Sequence, residues 1–406
     1  MPAHDPVDFC IIGAGSAGLS VAAAASQFGQ SAVLIEKAKM GGDCLNYGCV
    51  PSKALIAAAK HAHAFKTGEA FGVAPATPKI DFAKVHDHIH DVIAAIAPHD
   101  SQERFEGMGV KVIRSPGHFI DPETVEAGGE QIRARRFVIA TGSSPSAPPI
   151  PGLDTVHYLT NETIFDNTEL PKQLIVIGAG PIGIEMAQAH ARLGSKVTVL
   201  EAFDPLAKDD PELTRIVLDH VRREGVEILS RIKITEVRGT KAGVTVDIEF
   251  EDEHRTISGT HLLVAAGRKA NVENLGLENA GIEFTPKGIA VDKGLRTTNR
   301  KVYAIGDVAG GLQFTHVAGY HAGLVIRNAL FRLPVSNDTR HIPWVTYTDP
   351  ELAHVGMTEN QAKQQGLPIK VLRWSYKDND RAQAERRTDG LLKVITSTKG
   401  QILGAS

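Results

Sequence analysis

Cysteine is scarce in this chain, with 3 in 406 residues. An all-cysteine tetrahedral metal site is therefore impossible, and so little cysteine points to the cytosol, where a disulfide is more often catalytic than structural. Charge of one sign is lacking too. The formal net charge of −3 gives no electrostatic reason to expect nucleic acid or an anionic membrane as partner. No apolar run approaches the roughly 20 residues that span a bilayer. Residues 1–8 have neither a basic start nor a separate apolar core, so they do not read as a signal peptide. What remains is an ordinary composition, 42% hydrophobic and 22% charged, with 39 glycines for many tight turns. The length allows two or three domains with sizeable cores.

The chain repeats itself. Residues 7–12 form a short apolar run, followed by Gly13-Ala14-Gly15-Ser16-Ala17-Gly18 and an alanine-rich helical stretch to about Phe28. A second strand, 31–35, ends at Glu36. The same plan returns at 173–177, then Gly178-Ala179-Gly180-Pro181-Ile182-Gly183, a helix to about Leu193, and a strand at 196–200 ending at Glu201. Each glutamate lies 23 residues after the first glycine of its loop. One such glycine loop is weak evidence. Two copies, each between strand and helix and each with its acid at one offset, indicate two dinucleotide-binding units. The glycines allow a tight turn and a close approach of backbone to pyrophosphate, the helix N-terminus holds the phosphates, and the carboxylate accepts from a ribose diol. Residues 123–137 read as a hairpin region, 138–143 as a strand running into a phosphate-side turn, and 145–152, with four prolines, as a linker. Two further strands end in glycine, at 262–267 and 302–307. From His341 the pattern changes to proline-bounded strands and a helix at 359–365, with neighbouring strands at 393–396 and 401–405.

Gly41 to Lys53 reads Gly-Gly-Asp-Cys-Leu-Asn-Tyr-Gly-Cys-Val-Pro-Ser-Lys. Cys44 and Cys49 do not have the C-x2-C spacing of a zinc knuckle. On a regular helix their Cα atoms would lie roughly 8–9 Å apart, too far for a disulfide. Either they are two unrelated buried cysteines, or they meet across a distorted turn for which Gly48 supplies backbone freedom. Pro51 suits the first turn of a following helix, whose N-terminal partial charge favours a thiolate at Cys49. Other features take plain readings. Cys10 belongs to a strand core. His86 and His90 could pair on a helix but have no obvious third metal ligand, so they read as a solvated face. His61 and His63 project from different faces and suggest nothing, and Arg381, Arg386 and Arg387 read as solvated surface or a subunit contact.

Together the 41–53 segment, the two glycine loops and Ala304-Ile305-Gly306-Asp307 resemble the flavoprotein disulfide reductases, the class I pyridine nucleotide–disulfide oxidoreductases. The likeness runs over the whole order of motifs and is nearest to dihydrolipoamide dehydrogenases and mercuric reductase-like proteins, with Glu185, Gln188 and Arg192-Leu193-Gly194 leaning to the latter. It implies an α/β fold: two Rossmann-like dinucleotide-binding domains plus a partial α+β C-terminal dimerisation domain. The division expected is 1–150 for FAD, 151–270 for NAD(P)H, 271–340 for the rest of the FAD and central domain, and 341–406 for dimerisation. The resemblance places FAD at Gly13, Gly15, Gly18, Glu36, Thr141, Gly142, Gly306, Asp307 and His316, with residues 314–318 beside the flavin ring. NAD(H), favoured over NADPH, would bind at Gly178, Gly180, Gly183, Glu201 and Gly267. Cys49 would be the flavin-side thiol, and Cys44 the outer, more exposed one that exchanges with substrate. Lys53 would stand near the flavin, paired with Glu185.

The family pattern continues into a His-Pro and a glutamate that serve the partner subunit as acid–base, and this sequence stops at Ser406 before any such segment, so slow turnover of disulfides is the expectation. The C-terminal cysteine pair of mercuric reductases is not in the sequence either. The resulting expectation is a cytoplasmic homodimeric enzyme that passes electrons from NAD(P)H through FAD to Cys44–Cys49 and on to a small or protein-bound disulfide, with no metal site. Mercuric ion reduction, or a flavin-binding protein with diaphorase activity only, are the rival readings.

Overall fold

The computed structural model describes residues 5–251 and 253–406. The chain divides into two compact units. One takes in residues up to Pro51 with His88–Ser146 and Arg268–Thr339, and the other Ser52–Asp87, Ala147–Gly267 and Arg340–Ser406.

In the first unit four strands, Lys111–Ile113, Ala32–Ile35, Val7–Ile12 and Glu130–Ile139, lie parallel in that order, and Val302–Ala304 adds on parallel beyond Glu130–Ile139. The long strand Glu130–Ile139 serves two layers. Its first half pairs antiparallel with Thr124–Ala127, which pairs in turn with Gly117–Asp121, while its second half stays in the parallel sheet. Because side chains alternate along a strand, Phe9 and Ile11 face one core and Cys10 and Ile12 the other. The first core is closed by the helices Ser16–Gln27 and Thr315–Phe331, rich in Ala and Val, so that the helices lie close to the sheet. Cys10 is buried, and burial pushes its thiol up, consistent with a packing role.

In the second unit Glu227–Ser230, Lys196–Glu201, Gln173–Ile177 and His261–Val264 form a parallel sheet in that order. Ile175, Ile177, Leu200 and Val264 pack against Val237, Val244, Val246 and Ile248 of an antiparallel meander that runs from Lys233 to Gly259. The C-terminal segment builds a five-stranded antiparallel sheet in the order Trp344–Thr346, Leu352–Gly356, Ile402–Ala405, Leu391–Ser397, Ile369–Ser375. Its short helix Glu359–Gln364 starts with a capping box between Thr358 and Gln361. The strands expected at 393–396 and 401–405 are thus neighbours. Of the proline-rich stretch 145–152, Pro145 ends a short strand paired with Arg268–Ala270, and the rest has no regular ladder.

Candidate active site

The first glycine loop joins Val7–Ile12 to the helix Ser16–Gln27. Two of its glycines are demanded by the fold itself. A Cβ on Gly13 (φ +109°) would sit 2.4 Å from the Ala140 carbonyl oxygen, and one on Gly18 would sit 1.8 Å from that of Gly13. Gly15 differs, because it is extended (φ −83°) and its nearest neighbour is Gly42 Cα at 3.8 Å. Nothing inside the protein requires a glycine there, so its missing side chain keeps space open at the helix N-terminus. The second loop repeats the arrangement. Gly178 has φ +106°, a Cβ on Gly183 would meet the Gly178 carbonyl oxygen at 2.0 Å, and Gly180 has nothing within 4 Å.

The two acids also match. Glu36 accepts from the backbone N–H of Ala14 (2.6 Å) and of Ala38 (2.7 Å), and Glu201 from those of Ala179 (2.7 Å) and Phe203 (2.9 Å). Each carboxylate is thereby fixed beside the second residue of its glycine loop. Thr141 and Gly142 are held by Asn271, which donates to the Thr141 carbonyl (2.9 Å) and the Gly142 carbonyl (3.0 Å) and accepts from the Thr141 hydroxyl (2.8 Å). Gly306 (φ +69°) donates to His321 Nδ1, and Gly267 has φ +156°. Asp307 is largely withdrawn from water, which pushes its carboxyl up against the opposing hydrogen bond from Ser143 (2.6 Å) and the Arg268 charge. Arg268 ties this group to the cysteine segment, donating to Ser143 Oγ (2.8 Å) and pairing with Asp43 (3.1 Å).

Cys44 sits in the short helix Gly42–Asn46, and Cys49 opens the next helix, Cys49–Ala64. Left-handed Gly41 (φ +86°) and Gly42 (φ +60°) start the first, and a Cβ on Gly42 would come 2.6 Å from Gly15 Cα. The cysteine segment is therefore seated directly on the first glycine loop. The helix breaks at Tyr47-Gly48, which brings the two sulfurs into hydrogen-bonding contact although a regular helix would separate them. Gly48 does not have a positive φ; a Cβ there would lie 2.8 Å from Asp43 Oδ2 and 3.1 Å from the Asp43 carbonyl oxygen, so the position is tight.

The hydrogen bond to Cys49, then burial and the Cys49 charge, push the Cys44 thiol up. In the structure Cys44 is half-buried and Cys49 exposed. The Cys49 sulfur lies 3.3 Å from Thr315 Oγ1 at the start of the helix. His316, next along, is exposed and stacks on Phe314 with centroids 5.3 Å apart.

Lys53 follows Cys49 by four residues and shares its helix face. Its Nζ lies 2.9 Å from Glu185 Oε2; the Glu185 side chain is 5% exposed and that of Lys53 38%. Glu185 Oε1 accepts from Tyr347 N–H (2.9 Å), and the Tyr347 ring centroid is 4.2 Å from Lys53 Nζ. Two of the plainly read residues have charged neighbours, with Arg387 still exposed. His63 lies 3.8 Å from Glu224, where burial first and the Arg192 charge second hold it below the usual imidazole range. Arg387 pairs with Asp349 at 2.8 Å. Arg268 and Tyr347 had not been singled out from sequence, and Thr315 only as part of the segment 314–318. The local signal for Arg268 was its position directly after Gly267.

Among the described residues no group of three or more His, Cys, Asp or Glu is placed to hold a metal ion, and no helix is long and apolar enough to cross a membrane.

The class these features define is a two-dinucleotide α/β oxidoreductase with an appended dimerisation domain. The model of the pyridine nucleotide-disulphide oxidoreductases matches residues 7–322, and that of their dimerisation domain matches residues 342–406. Mercuric reductase of Bacillus cereus is 35% identical over 98% of this chain and 64% of its own length. Dihydrolipoyl dehydrogenase of Geobacillus stearothermophilus is 36% identical over 97% of this chain and 85% of its own. Among solved structures, the HOCl-induced flavoprotein disulfide reductase RclA from Escherichia coli is 31% identical with a TM-score of 0.86, covering 98% of this chain and 88% of that one. The chain belongs to the pyridine nucleotide–disulphide oxidoreductase family, whose members are FAD flavoproteins that use NAD(P)H. It spans 64% of the length of the Bacillus cereus relative.

The residues fit both cofactors. Each loop offers an uncapped helix N-terminus, a glycine whose Cβ would fill the approach, and a carboxylate anchored beside it.

Proposed function

We propose that this protein is an NAD(P)H:disulfide oxidoreductase of the dihydrolipoamide dehydrogenase type, acting in the cytoplasm as a homodimer. The observation that carries this reading is the hydrogen-bonded Cys44–Cys49 pair seated on the first glycine loop, with Gly42 packed against Gly15. In this reading residues 1–150 and 271–340 hold FAD, residues 151–270 hold NADH, and residues 341–406 dimerise. Gly13, Gly15 and Gly18 carry the FAD pyrophosphate, Glu36 its ribose, and Thr141, Gly142, Gly306, Asp307 and His316 the flavin side. Gly178, Gly180, Gly183, Glu201 and Gly267 hold the nicotinamide dinucleotide. Bound FAD supplies a two-electron carrier between nicotinamide and thiols.

The chain's own work is on sulfur and charge. Two electrons and a proton open the Cys44–Cys49 disulfide, leaving a Cys44 thiol hydrogen-bonded to a Cys49 thiolate. Once Cys44 loses its proton, it attacks an external disulfide and releases one thiol. Cys49 then attacks the Cys44 sulfur of the mixed disulfide, restoring the internal bond and releasing the second thiol. The balance is NAD(P)H, a proton and a disulfide in, NAD(P)+ and two thiols out. Lys53, fixed by Glu185, holds positive charge beside Cys49 one helical turn along, where it stabilises negative charge on the reduced site. A second reading, reduction of a soft metal ion, is supported by the likeness to mercuric reductases and by a thiol pair suited to soft metals.

Serine variants separate the roles of the two sulfurs. After anaerobic two-electron reduction, Cys44→Ser should keep a long-wavelength charge-transfer band while losing disulfide reduction, and Cys49→Ser should lose both. Normal turnover of lipoamide and glutathione disulfide by both variants would rule out the thiol pair. Normal Hg(II) reduction by wild type with no disulfide turnover would favour the second reading.

A further inference from the structure

The helix Pro181–Leu193 places Glu185, Gln188 and Arg192 at i, i+3 and i+7, so the three share one face. All three grip one segment, residues 347–349, which joins Trp344–Thr346 to Leu352–Gly356 in the C-terminal sheet. Glu185 Oε1 accepts from the Tyr347 N–H at 2.9 Å. Gln188 accepts from the Asp349 N–H and donates to the Asp349 carbonyl, both at 2.8 Å. Arg192 donates to the Asp349 carboxylate at 3.0 Å and to Glu224 at 2.6 and 2.7 Å. Arg387 reaches the same Asp349 carboxylate from the other side. Burial works against ionisation of Asp349, but the two guanidiniums outweigh it and hold its carboxyl below the usual range. The helix thus holds the segment at both Tyr347 and Asp349. Its product is the position of the Tyr347 ring, face-on to the Lys53 ammonium at 4.2 Å.

We propose that Tyr347 is a positioning residue for Lys53, and that the 347–349 clasp is the device by which the C-terminal sheet sets the place of that charge. The inference rests on the reading of Lys53 as the cation that supports the reduced flavin. A lysine held by one carboxylate can swing about the ion pair on four rotatable bonds. Tyr347 removes that freedom twice: its N–H occupies the second oxygen of Glu185, so the carboxylate cannot rotate, and its ring covers the ammonium with the negative face of the π system. The hydroxyl has no part in either contact. The ring is 41% exposed, so shortening it leaves no buried cavity.

The test uses the FAD-loaded protein and compares wild type with Lys53→Met, Tyr347→Leu and Tyr347→Phe. The readouts are the flavin midpoint potential by dye equilibration and the rate of anaerobic flavin reduction by NADH. Lys53→Met should lower the potential. Tyr347→Leu should move it the same way by a smaller amount and slow reduction about 2- to 30-fold, with KM for NADH unchanged. Tyr347→Phe should restore both values to those of wild type. An unchanged potential in Lys53→Met overturns the underlying reading of Lys53 and the inference with it. A shifted Lys53→Met beside a wild-type-like Tyr347→Leu overturns the positioning role alone, as does a Tyr347→Phe variant as impaired as the leucine one.

Discussion

At the scale of single residues the geometry separates groups that the sequence makes look alike. Glu36 and Glu201 are held by the same pair of backbone donors, one from the glycine loop and one from two residues downstream. Anchoring fixes where the negative charge stands, so Glu201 can accept from a 2′-hydroxyl but opposes a 2′-phosphate. Two like charges a few ångströms apart cost about 1–4 kcal/mol depending on screening, roughly tenfold or more in preference. The ratio of kcat/KM for NADH to that for NADPH should therefore exceed roughly tenfold and collapse in Glu201→Ala. A wild-type preference for NADPH would show that Glu201 does not set the choice. Cys44 likewise stands apart, because its hydrogen bond with Cys49 and its burial push its thiol up.

At the scale of elements, the two strand–glycine loop–helix units were legible because each is encoded within a few dozen consecutive residues. Gly18 and Gly183 answer steric demands internal to their own turn, while Gly13 and Gly178 answer the close approach of Ala140 and Ala265 from other parts of the chain. Gly15 and Gly180 answer none, and this predicts two phenotypes from one motif. Gly18→Ala forces a Cβ onto the Gly13 carbonyl and should cost the fold at least ~1–3 kcal/mol, read as a lower melting temperature of the apoprotein. Gly15→Val should melt like wild-type apoprotein but bind no FAD, giving colourless protein. A folded, fully yellow Gly15→Val variant would remove the phosphate role of this loop. What was not legible came from distant segments. Arg268 bridges Ser143 and Asp43, Thr315 meets Cys49, and Tyr347 covers Lys53, and no local period or spacing announces a contact across more than a hundred residues of chain.

At the scale of the whole molecule, the C-terminal sheet carries a dimerisation domain and leaves one apolar face uncovered. Leu372 and Trp374 on Ile369–Ser375, Leu392 on Leu391–Ser397 and Ile402 on Ile402–Ala405 are all exposed, and Trp374 stands opposite Leu392 in the ladder. A cluster of this kind marks an interface. Light scattering should give a dimer for the wild type, and Trp374→Glu with Ile402→Glu should shift it to monomer. A wild-type monomer at micromolar concentration would contradict the homodimer.

The central claim is that electrons from reduced nicotinamide arrive at the Cys44–Cys49 pair. The most direct measurement is differential alkylation with mass spectrometry on the FAD-loaded protein, before and after one equivalent of NADH added without oxygen. Before reduction, Cys44 and Cys49 should be found joined and unlabelled under native conditions. After reduction both should be labelled, while Cys10, buried in its strand, stays unlabelled until the protein is unfolded. If NADH bleaches the flavin and frees no thiol at either position, electrons do not reach the pair and the account is wrong.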